Sequence, residues 1–224
     1  PEYKAQREET PEAIRTAIPI IKEILQAYRI PILEVKGYEA DDVIGTLSKQ
    51  AACIPDTETF MMTPDKDYGQ LVNEHVKIYR PKYGDKDFEV MGTQEVIAKF
   101  NIQSTEQVID MLGLMGDSSD NIPGCPGVGE KTASKLINQF GSIENLLTRT
   151  DELTGSIKTK IETNKELITF SKFLATIKTD VPIQLDMTSL CVKSPDSDHL
   201  KRLFEELEFR SLTERKFPKK TITP

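Results

Sequence analysis

Histidine and cysteine are scarce in this chain of 224 residues. The two histidines, His75 and His199, stand beside none of the acidic clusters of the chain, so a zinc hydrolase with imidazole ligands is not expected. Cys53, Cys125 and Cys191 are widely spaced and form no CxxC pair, which argues against a disulfide framework and against a structural zinc site. This cysteine usage fits a reducing compartment, and we expect a cytoplasmic protein.

Long apolar runs and long runs of one charge are also missing. No stretch approaches the roughly 20 consecutive apolar residues of a membrane-spanning helix, and the opening PEYKAQREE lacks the apolar run of a secretory signal. We therefore expect no membrane association and no export. With 38% hydrophobic and 29% charged residues and no low-complexity tract, the chain is expected to fold around a hydrophobic core.

The net charge of −7 argues at first against a nucleic-acid partner, because proteins that bind phosphate normally carry a basic surface. The acids are unevenly distributed, however. Seven of them form a first acidic cluster (Glu39, Asp41 and Asp42), a second (Asp65 and Asp67) and a third (Asp117 and Asp120). The other 29 acidic residues are balanced by 29 Lys and Arg. Divalent metal would largely compensate such clusters, so DNA is not excluded.

Helical and extended segments alternate in the first part of the chain. Apolar spacing predicts a helix from Thr10 to Tyr28 with a kink or restart at Pro19, then a strand at residues 31–35, a helix at 39–52, and strands at 58–63 and 76–79. The apolar stripe of the first helix comprises Ile14, Ile18, Ile21, Leu25 and Tyr28. This alternation predicts an α/β fold with a mainly parallel sheet and flanking helices over residues 1–92. A helical subdomain is predicted over 93–224, beginning with a helix at 93–100.

The first two acidic clusters are predicted at one edge of this sheet, because each follows a predicted strand and the carboxyl ends of parallel strands lie together. Their five carboxylates are therefore expected to converge. The third cluster, in GLMGDSSDNIPG, lies in a loop whose path to that edge does not follow from the sequence.

Carboxylates in this number favour Mg²⁺ or Mn²⁺, and two such ions about 4 Å apart can catalyse phosphodiester hydrolysis. Structural explanations stay open as well. Acids are favoured in the first turn of a helix by its dipole, and Asp is common in turns and at N-caps.

A glycine-rich turn precedes a later helix. The segment GCPGVGEKTASKLI places Gly124, Gly127 and Gly129 before a helix whose first turn holds Lys131 and Thr132. Glycines allow the backbone to approach a ligand closely, and a helix start favours an anion, so the turn is suited to phosphate. Its spacing is that of neither a nucleotide P-loop nor a Rossmann turn. A tight turn between helices with packing glycines is the alternative.

These segments together resemble a known family. GYEADDVIG, the strand followed by TPDKD, MGDSSDNIPG and GCPGVGEKTASKLI are similar to motifs of the 5′–3′ exonuclease domains of bacterial DNA polymerase I, members of the flap endonuclease family. They occur in the family's order over essentially the whole chain. The resemblance implies a PIN-like, resolvase-type core, a helical subdomain with a helix-three-turn-helix, and metal ligands in all three acidic clusters, which in the complete domain bind two Mg²⁺ or Mn²⁺ ions.

The resemblance also implies how DNA is held. Lys4 and Arg7, in the opening YKAQR, match cations at the base of a helical arch that address the scissile phosphate, so they are the predicted catalytic residues. From the residues alone, a solvated charged segment is the alternative. The helix-three-turn-helix would grip duplex DNA and bind a K⁺ ion. The predicted DNA-binding residues are Tyr3, Gly124, Gly127, Gly129, Lys131 and Thr132.

As the family's partner we expect DNA with 5′ flaps, nicks or ends, processed in replication and repair by a monomer linked covalently to polymerase domains. Two aspartates that the family carries ahead of the arch have no counterpart in this sequence. The expectation is therefore that this chain binds DNA but cleaves it poorly.

Two other functions are compatible with parts of the sequence. DKD after an apolar strand and the later GDSSD are similar to motifs of haloacid dehalogenase phosphatases, although Gly69 stands where that family has Thr or Val. A noncatalytic DNA-binding module is the second alternative. Hydrolysis of a small aryl phosphate would favour the former, and DNA binding that survives loss of the carboxylates would favour the latter.

Overall fold

The computed structural model describes residues 4–82 and 87–218. The chain folds into two compact units. The first unit comprises Pro1–Arg7 and Val35–Leu185, and the second comprises Glu8–Glu34 and Asp186–Pro224. The predicted boundary after residue 92 lies inside the first unit and stays a prediction.

A sheet of three strands lies in the described part of the first unit. The strands are β1 (Thr59–Met62), β2 (Val76–Pro81) and β3 (Phe88–Met91), in the order β1-β2-β3. β1 and β2 are parallel, as predicted, whereas β3 pairs with β2 in the antiparallel direction. Alternate residues of β2 are buried, as expected for a strand with one face on the core.

The strand predicted at residues 31–35 is wrong. Among the described residues this segment pairs with no strand, and Pro31 has no N–H to contribute to a ladder. The chain turns instead, since the carbonyl of Val35 accepts from the Tyr38 N–H (3.2 Å) next to Gly37, whose φ is 88°. The first acidic cluster therefore follows a turn and not a strand end.

Helices supply most of the first unit. They are α2 (Ala40–Ala51), α3 (Thr93–Phe100), α4 (Gln107–Met115), α5 (Glu130–Phe140), α6 (Ile143–Thr148), α7 (Gly155–Thr163) and α8 (Lys165–Ala175), with 3₁₀ turns at Lys66–Leu71 and Thr150–Glu152. α4 is central, and its Met111, Leu112 and Leu114 are fully buried. Around it one continuous core joins the sheet to the helices. The α/β fold with a helical part is confirmed.

A buried ion pair fixes α8 against α4. Asp110 is 7% exposed at its side chain and accepts from Lys172 Nζ (2.6 Å) and from the Ile143 N–H (3.0 Å). Burial lowers the pKa of Lys172, but its hydrogen bonds to Asp110 and Glu144 outweigh this and raise that pKa above its usual value.

Replacing Lys172 with Met is expected to lower the free energy of unfolding by about 3 kcal/mol, because Asp110 would keep a buried charge without its counter-ion. Glu144→Gln is the matched control. Glu144 contacts the same ammonium (2.8 Å) but is 65% exposed, so the loss there should stay below about 1 kcal/mol. Urea unfolding measures the loss in each variant, and equal losses would contradict the stabilising role of the Asp110–Lys172 pair.

Residues 176–185 follow α8 without regular secondary structure and lie along α2. Side chains spaced one turn apart on α2 form hydrogen bonds with the backbone of residues 176–185. The Lys178 N–H donates to Asp42 Oδ1 (2.9 Å) and the Val181 N–H to Thr46 Oγ1 (3.1 Å). One turn further along α2, the side-chain amide of Gln50 donates to the carbonyl of Ile183 (2.8 Å) and accepts from the N–H of Leu185 (2.7 Å).

The second unit contains α1 (Glu12–Ala27), α9 (Ser197–Glu206) and α10 (Arg210–Lys216). α1 continues through Pro19, so the predicted restart does not occur. Its apolar stripe is half-buried only near its C-terminal end, where Tyr28 packs against a cluster of Ala27, Leu200, Leu203 and Phe204. The N-terminal members of the stripe are exposed, by 52% at Ile14, 43% at Ile18 and 51% at Ile21. No helix in the described residues combines the length and apolarity needed to cross a membrane.

Candidate metal centre and nucleic-acid interface

The first acidic cluster surrounds the start of α2. Glu39 is the N-cap, and its N–H donates to Asp42 Oδ2 (3.3 Å) in a capping box. Asp41 Oδ1 accepts from the hydroxyl of Tyr68 (2.7 Å). Helix capping and the hydrogen bond from the Lys178 N–H account for the presence of Asp42 without a metal. The side chain of Glu39 contacts the ammonium of Lys4.

The second cluster lies between β1 and β2. Asp65 caps the 3₁₀ turn through the N–H of Asp67 (3.0 Å). Asp67 Oδ1 is buried without a hydrogen-bond partner among the described residues, although Lys66 Nζ is 3.6 Å away. Burial raises the pKa of Asp67 from 3.8 to about 6; Lys66 opposes the rise, and Asp65 and Asp117 add to it.

The third cluster lies in the loop after α4. A β-bridge joins Asp117 and Ile122, whose N–H and carbonyl groups exchange hydrogen bonds (2.9 and 2.7 Å) and close the loop. Asp117 is 7% exposed and accepts from the ammonium of Lys66 and from the Ser119 N–H (2.7 Å). Burial raises the pKa of Asp117, but these hydrogen bonds outweigh it and hold that pKa below its usual value.

Two adjoining cavities bring the clusters together. The smaller acidic cavity, about 290 Å³, is bounded by Glu39, Asp41, Asp42, Asp67 and Asp120, and by Ile122 and residues 173–178. The larger acidic cavity, about 490 Å³, is bounded by Arg7, Pro64, Asp65, Lys66, Asp67, Lys99, Asp117, Ser119 and Asp120. Asp67 and Asp120 line both cavities. The first cluster and Asp65 line different cavities, so the clusters meet through Asp67 and Asp120, and the convergence of all five carboxylates at one site stays a prediction.

The chemistry of these cavities fits Mg²⁺ or Mn²⁺. The donors are carboxylate oxygens, and the partnerless Asp67 Oδ1 is the kind of buried atom that a cation satisfies. Within residues 4–82 and 87–218, no three His, Cys, Asp or Glu side chains are grouped closely enough to hold one ion together. Mg²⁺ tolerates such spacing, because it is commonly bound by one or two carboxylates and keeps several waters.

Cations lie among these carboxylates. Lys4 contacts Glu39 and is 3.5 Å from Asp120, and Arg7 contacts Asp120. The Lys4 N–H also donates to the carbonyl of Asp120 (3.0 Å), so the opening segment is tied to the loop of the third cluster. The sequence singled out neither Lys66 nor Lys99, which face the larger acidic cavity. Tyr3 lies outside the described residues.

The glycine-rich turn divides into a packed part and an open part. Gly124 is buried, and its N–H donates to Ser171 Oγ (3.0 Å). A Cβ on Gly124 would stand 2.3 Å from the N atom of Gly116, so the packing alternative accounts for Gly124. Gly127 and Gly129 are exposed, as is Lys131, whereas Thr132 is half-buried. Phosphate contact by the open residues stays a prediction.

Lys160 is a residue of this turn that the sequence did not indicate. Its Nζ donates to the carbonyl of Gly127 (3.1 Å), across 33 residues of chain. A Cβ on Gly127 would stand 2.6 Å from that ammonium, so α7 places a cation directly against the turn. Only the fold reveals this proximity, because no local pattern in α7 distinguishes Lys160 from Lys158.

In comparisons with known proteins, two family models match consecutive parts of the chain. Residues 1–101 match the 5′–3′ exonuclease N-terminal resolvase-like domain, and residues 103–198 match the 5′–3′ exonuclease C-terminal SAM fold. The DNA polymerase I of Bacillus subtilis is 43% identical, and that of Bacillus caldotenax 41%, each over 96% of this chain. The chain spans about a quarter (24%) of the length of these relatives.

Solved structures share the fold. The phage T5 5′-exonuclease with bound zinc ions is 22% identical and has a TM-score of 0.66, covering 93% of this chain and 77% of its own. The phage T5 flap endonuclease in complex with DNA and metal ions is 21% identical, with a TM-score of 0.65 over 94% and 78% of the two chains. The catalytic core of Rad2 with a DNA substrate is 16% identical, with a TM-score of 0.62 over 96% and 72%.

The two family matches together cover nearly the whole chain, and they agree with the α/β core and the helical part. The chain belongs to the 5′–3′ exonuclease family, in the form found within bacterial DNA polymerase I.

Proposed function

We propose that this chain is the 5′ nuclease region of a DNA polymerase I and hydrolyses phosphodiester bonds at DNA 5′ ends and flaps. The observation that carries the proposal is the meeting of three acidic clusters in adjoining cavities beside Lys4, Arg7 and Lys66. The T5 proteins of the same fold were crystallised with divalent metal ions and DNA, which supports a metal-dependent reaction on DNA.

All three acidic clusters are the proposed metal ligands, with Asp67 and Asp120 placed to serve both cavities. When bound, divalent cations supply Lewis-acid activation of the attacking water and of the scissile phosphate. Lys4 and Arg7 hold the phosphate, exchanging carboxylate partners for phosphate oxygens as the substrate enters. Tyr3 adds a contact to DNA. Lys66 keeps Asp117 ionised and oriented through their hydrogen bond.

The test is Mg²⁺-dependent cleavage of a labelled 5′-flap DNA, measured with this chain and with a version extended at its N-terminus. Cleavage by the extended version at the flap junction, abolished by chelation and restored by Mg²⁺ or Mn²⁺, would support the proposal. If neither chain cut flaps or 5′ ends at any concentration of either metal, the nuclease assignment would fall. Turnover of an aryl phosphate would then favour the phosphatase alternative.

The open part of the glycine-rich turn is proposed as the grip on duplex DNA. The N-terminus of α5 follows Gly129; Lys131 lies in the first turn of that helix, and Lys160 contacts the carbonyl of Gly127 before it. Monomeric state, attachment to polymerase domains and a K⁺ ion at this turn stay predictions.

Lys131→Gln and Lys160→Gln are each expected to weaken duplex binding several-fold and to reduce the slope of log affinity against log salt by about 0.9, the loss of one phosphate contact. Fluorescence anisotropy across a salt series measures both quantities. Lys158→Gln is the matched control, since Lys158 is equally half-buried on α7 but lies near Glu162 (4.0 Å). An unchanged slope in Lys160→Gln would show that Lys160 only supports the turn.

A further inference from the structure

Phe173 is exposed at the edge of the carboxylate site. It lies in the last turn of α8, its relative exposure is 73%, and it lines the smaller acidic cavity together with Asp67 and Asp120. Neither the capping of α8 nor the packing of the core uses this ring. A single exposed ring is common on protein surfaces, but this one borders the cavity in which the proposed substrate would be cut, so a bound DNA could cover it.

The surroundings of Phe173 hold it in place. Ile168 and Ser171 on the same helix are fully buried. Just beyond Phe173, the amide of Gln70 donates to the carbonyl of Ala175 (3.0 Å) and accepts from the N–H of Ile177 (2.9 Å). Because Gln70 belongs to the 3₁₀ turn that also carries Asp67, the backbone next to Phe173 is tied to the turn of that carboxylate.

Of the parts of a DNA strand, the nucleobase is the one best suited to contact the Phe173 ring. Phosphates and sugars gain little from a phenyl ring, whereas every base has a π face that stacks on an aromatic side chain regardless of its identity. A base inside a duplex is already stacked on both sides. The bases that can reach Phe173 are therefore those unpaired or frayed next to the bond being cut, at a flap junction or a 5′ end.

We propose that Phe173 is a positioning residue that stacks on the nucleobase adjacent to the scissile phosphate and so holds that phosphate over the acidic cavities. The inference rests on the proposed nuclease function. It adds a base-stacking contact to the phosphate contacts, and it makes recognition depend on an unpaired base without selecting its sequence.

The experiment uses 5′-flap DNA with 2-aminopurine on either side of the junction, bound in the presence of a chelator so that no cleavage occurs. Wild-type protein is expected to change the fluorescence of the base next to the scissile bond. Phe173→Ala should lose this change and bind the flap about tenfold more weakly, since one stacked base is worth about that much or more. Phe173→Trp should keep both, and Phe173→Leu, apolar but not aromatic, should lose the signal.

Phe170→Ala is the matched control. Phe170 is 52% exposed on the same helix but does not line the acidic cavities, so its loss should leave signal and affinity unchanged. If Phe173→Ala behaves like Phe170→Ala while wild type binds flaps, the stacking inference fails and the nuclease proposal stands. If wild-type protein does not bind flap DNA, both fail. An unchanged melting temperature in each variant, expected for exposed rings, confirms that folding is not the cause.

Discussion

Replacing Asp67 with Asn is expected to reduce Mg²⁺-dependent flap cleavage by about a hundredfold or more, with DNA affinity in chelator changed less than about threefold. Asp67 lines both acidic cavities, and its Oδ1 is buried without a hydrogen-bond partner among the described residues. An amide keeps the shape of the side chain but offers one neutral oxygen where a cation needs a charged ligand. Single-turnover cleavage and anisotropy measure the two effects, with this chain or with its extended version, whichever cleaves.

Metal binding itself supplies an independent measurement for the same variant. A ligand that binds only the folded protein raises its melting temperature, so Mg²⁺ should stabilise the wild type and should stabilise Asp67→Asn much less. Asp151→Asn is the control, because Asp151 is exposed in the first unit and lines neither acidic cavity. Full cleavage and a full Mg²⁺ response in Asp67→Asn would remove Asp67 from the metal centre.

Gly116→Ala and Gly124→Ala are each expected to lower the free energy of unfolding by about 3 kcal/mol or more. A Cβ on Gly116 would lie 2.5 Å from the carbonyl oxygen of Ile122, and both glycines have positive φ, 73° and 60°. Gly116 also has ψ of −179°, a combination that side-chain-bearing residues essentially never adopt. Relief of the clash would move the loop of the third acidic cluster, so cleavage should fall with stability.

Substitutions at two other glycines distinguish the cost of a left-handed backbone from the cost of a steric clash at the added Cβ. Gly37 has φ of 88° with nothing within 4 Å of an added Cβ, so Gly37→Ala should cost about 1 kcal/mol, the contribution of left-handed backbone alone. Gly129 has open space and a φ of −95°, so Gly129→Ala should cost only the exchange of a Gly for an Ala N-cap, about 1 kcal/mol or less. Urea unfolding of the series would contradict this account if Gly116→Ala cost no more than Gly37→Ala.

Periodicity and local chemistry were enough to predict much of this fold. The helix at Thr93–Phe100 begins and ends where predicted, because an apolar helical stripe is followed there by an Asn in left-handed conformation. The predicted strand at residues 31–35 failed because a strand is defined by its partner, and local extended character does not supply one. For α1, the sequence predicted an apolar stripe but could not say how much of it a neighbour covers.

The candidate site was predictable as a set of residues but not as a set of contacts. Spacing identified the acidic clusters, and the family resemblance joined the third cluster to the others. The positions of Lys66, Lys160 and Phe173 depend on partners dozens of residues away, as when Lys160 reaches Gly127. No local pattern encodes such distances, since they arise only when helices and turns pack around the core.

Gln50 and Gln70 bind the end of α8 and the chain that follows it with the hydrogen-bond pattern of residues in a parallel neighbouring strand. Each amide binds a carbonyl and the N–H two residues later, at 183 and 185 for Gln50 and at 175 and 177 for Gln70. A slip of this segment by one residue would turn the bonded carbonyl and N–H groups away from both glutamines together, because successive residues of an extended chain face opposite sides. Side chains thus hold in register the wall of the smaller acidic cavity and the segment that continues it, and Gln→Glu at either position would weaken this by exchanging a donor for a repelling charge.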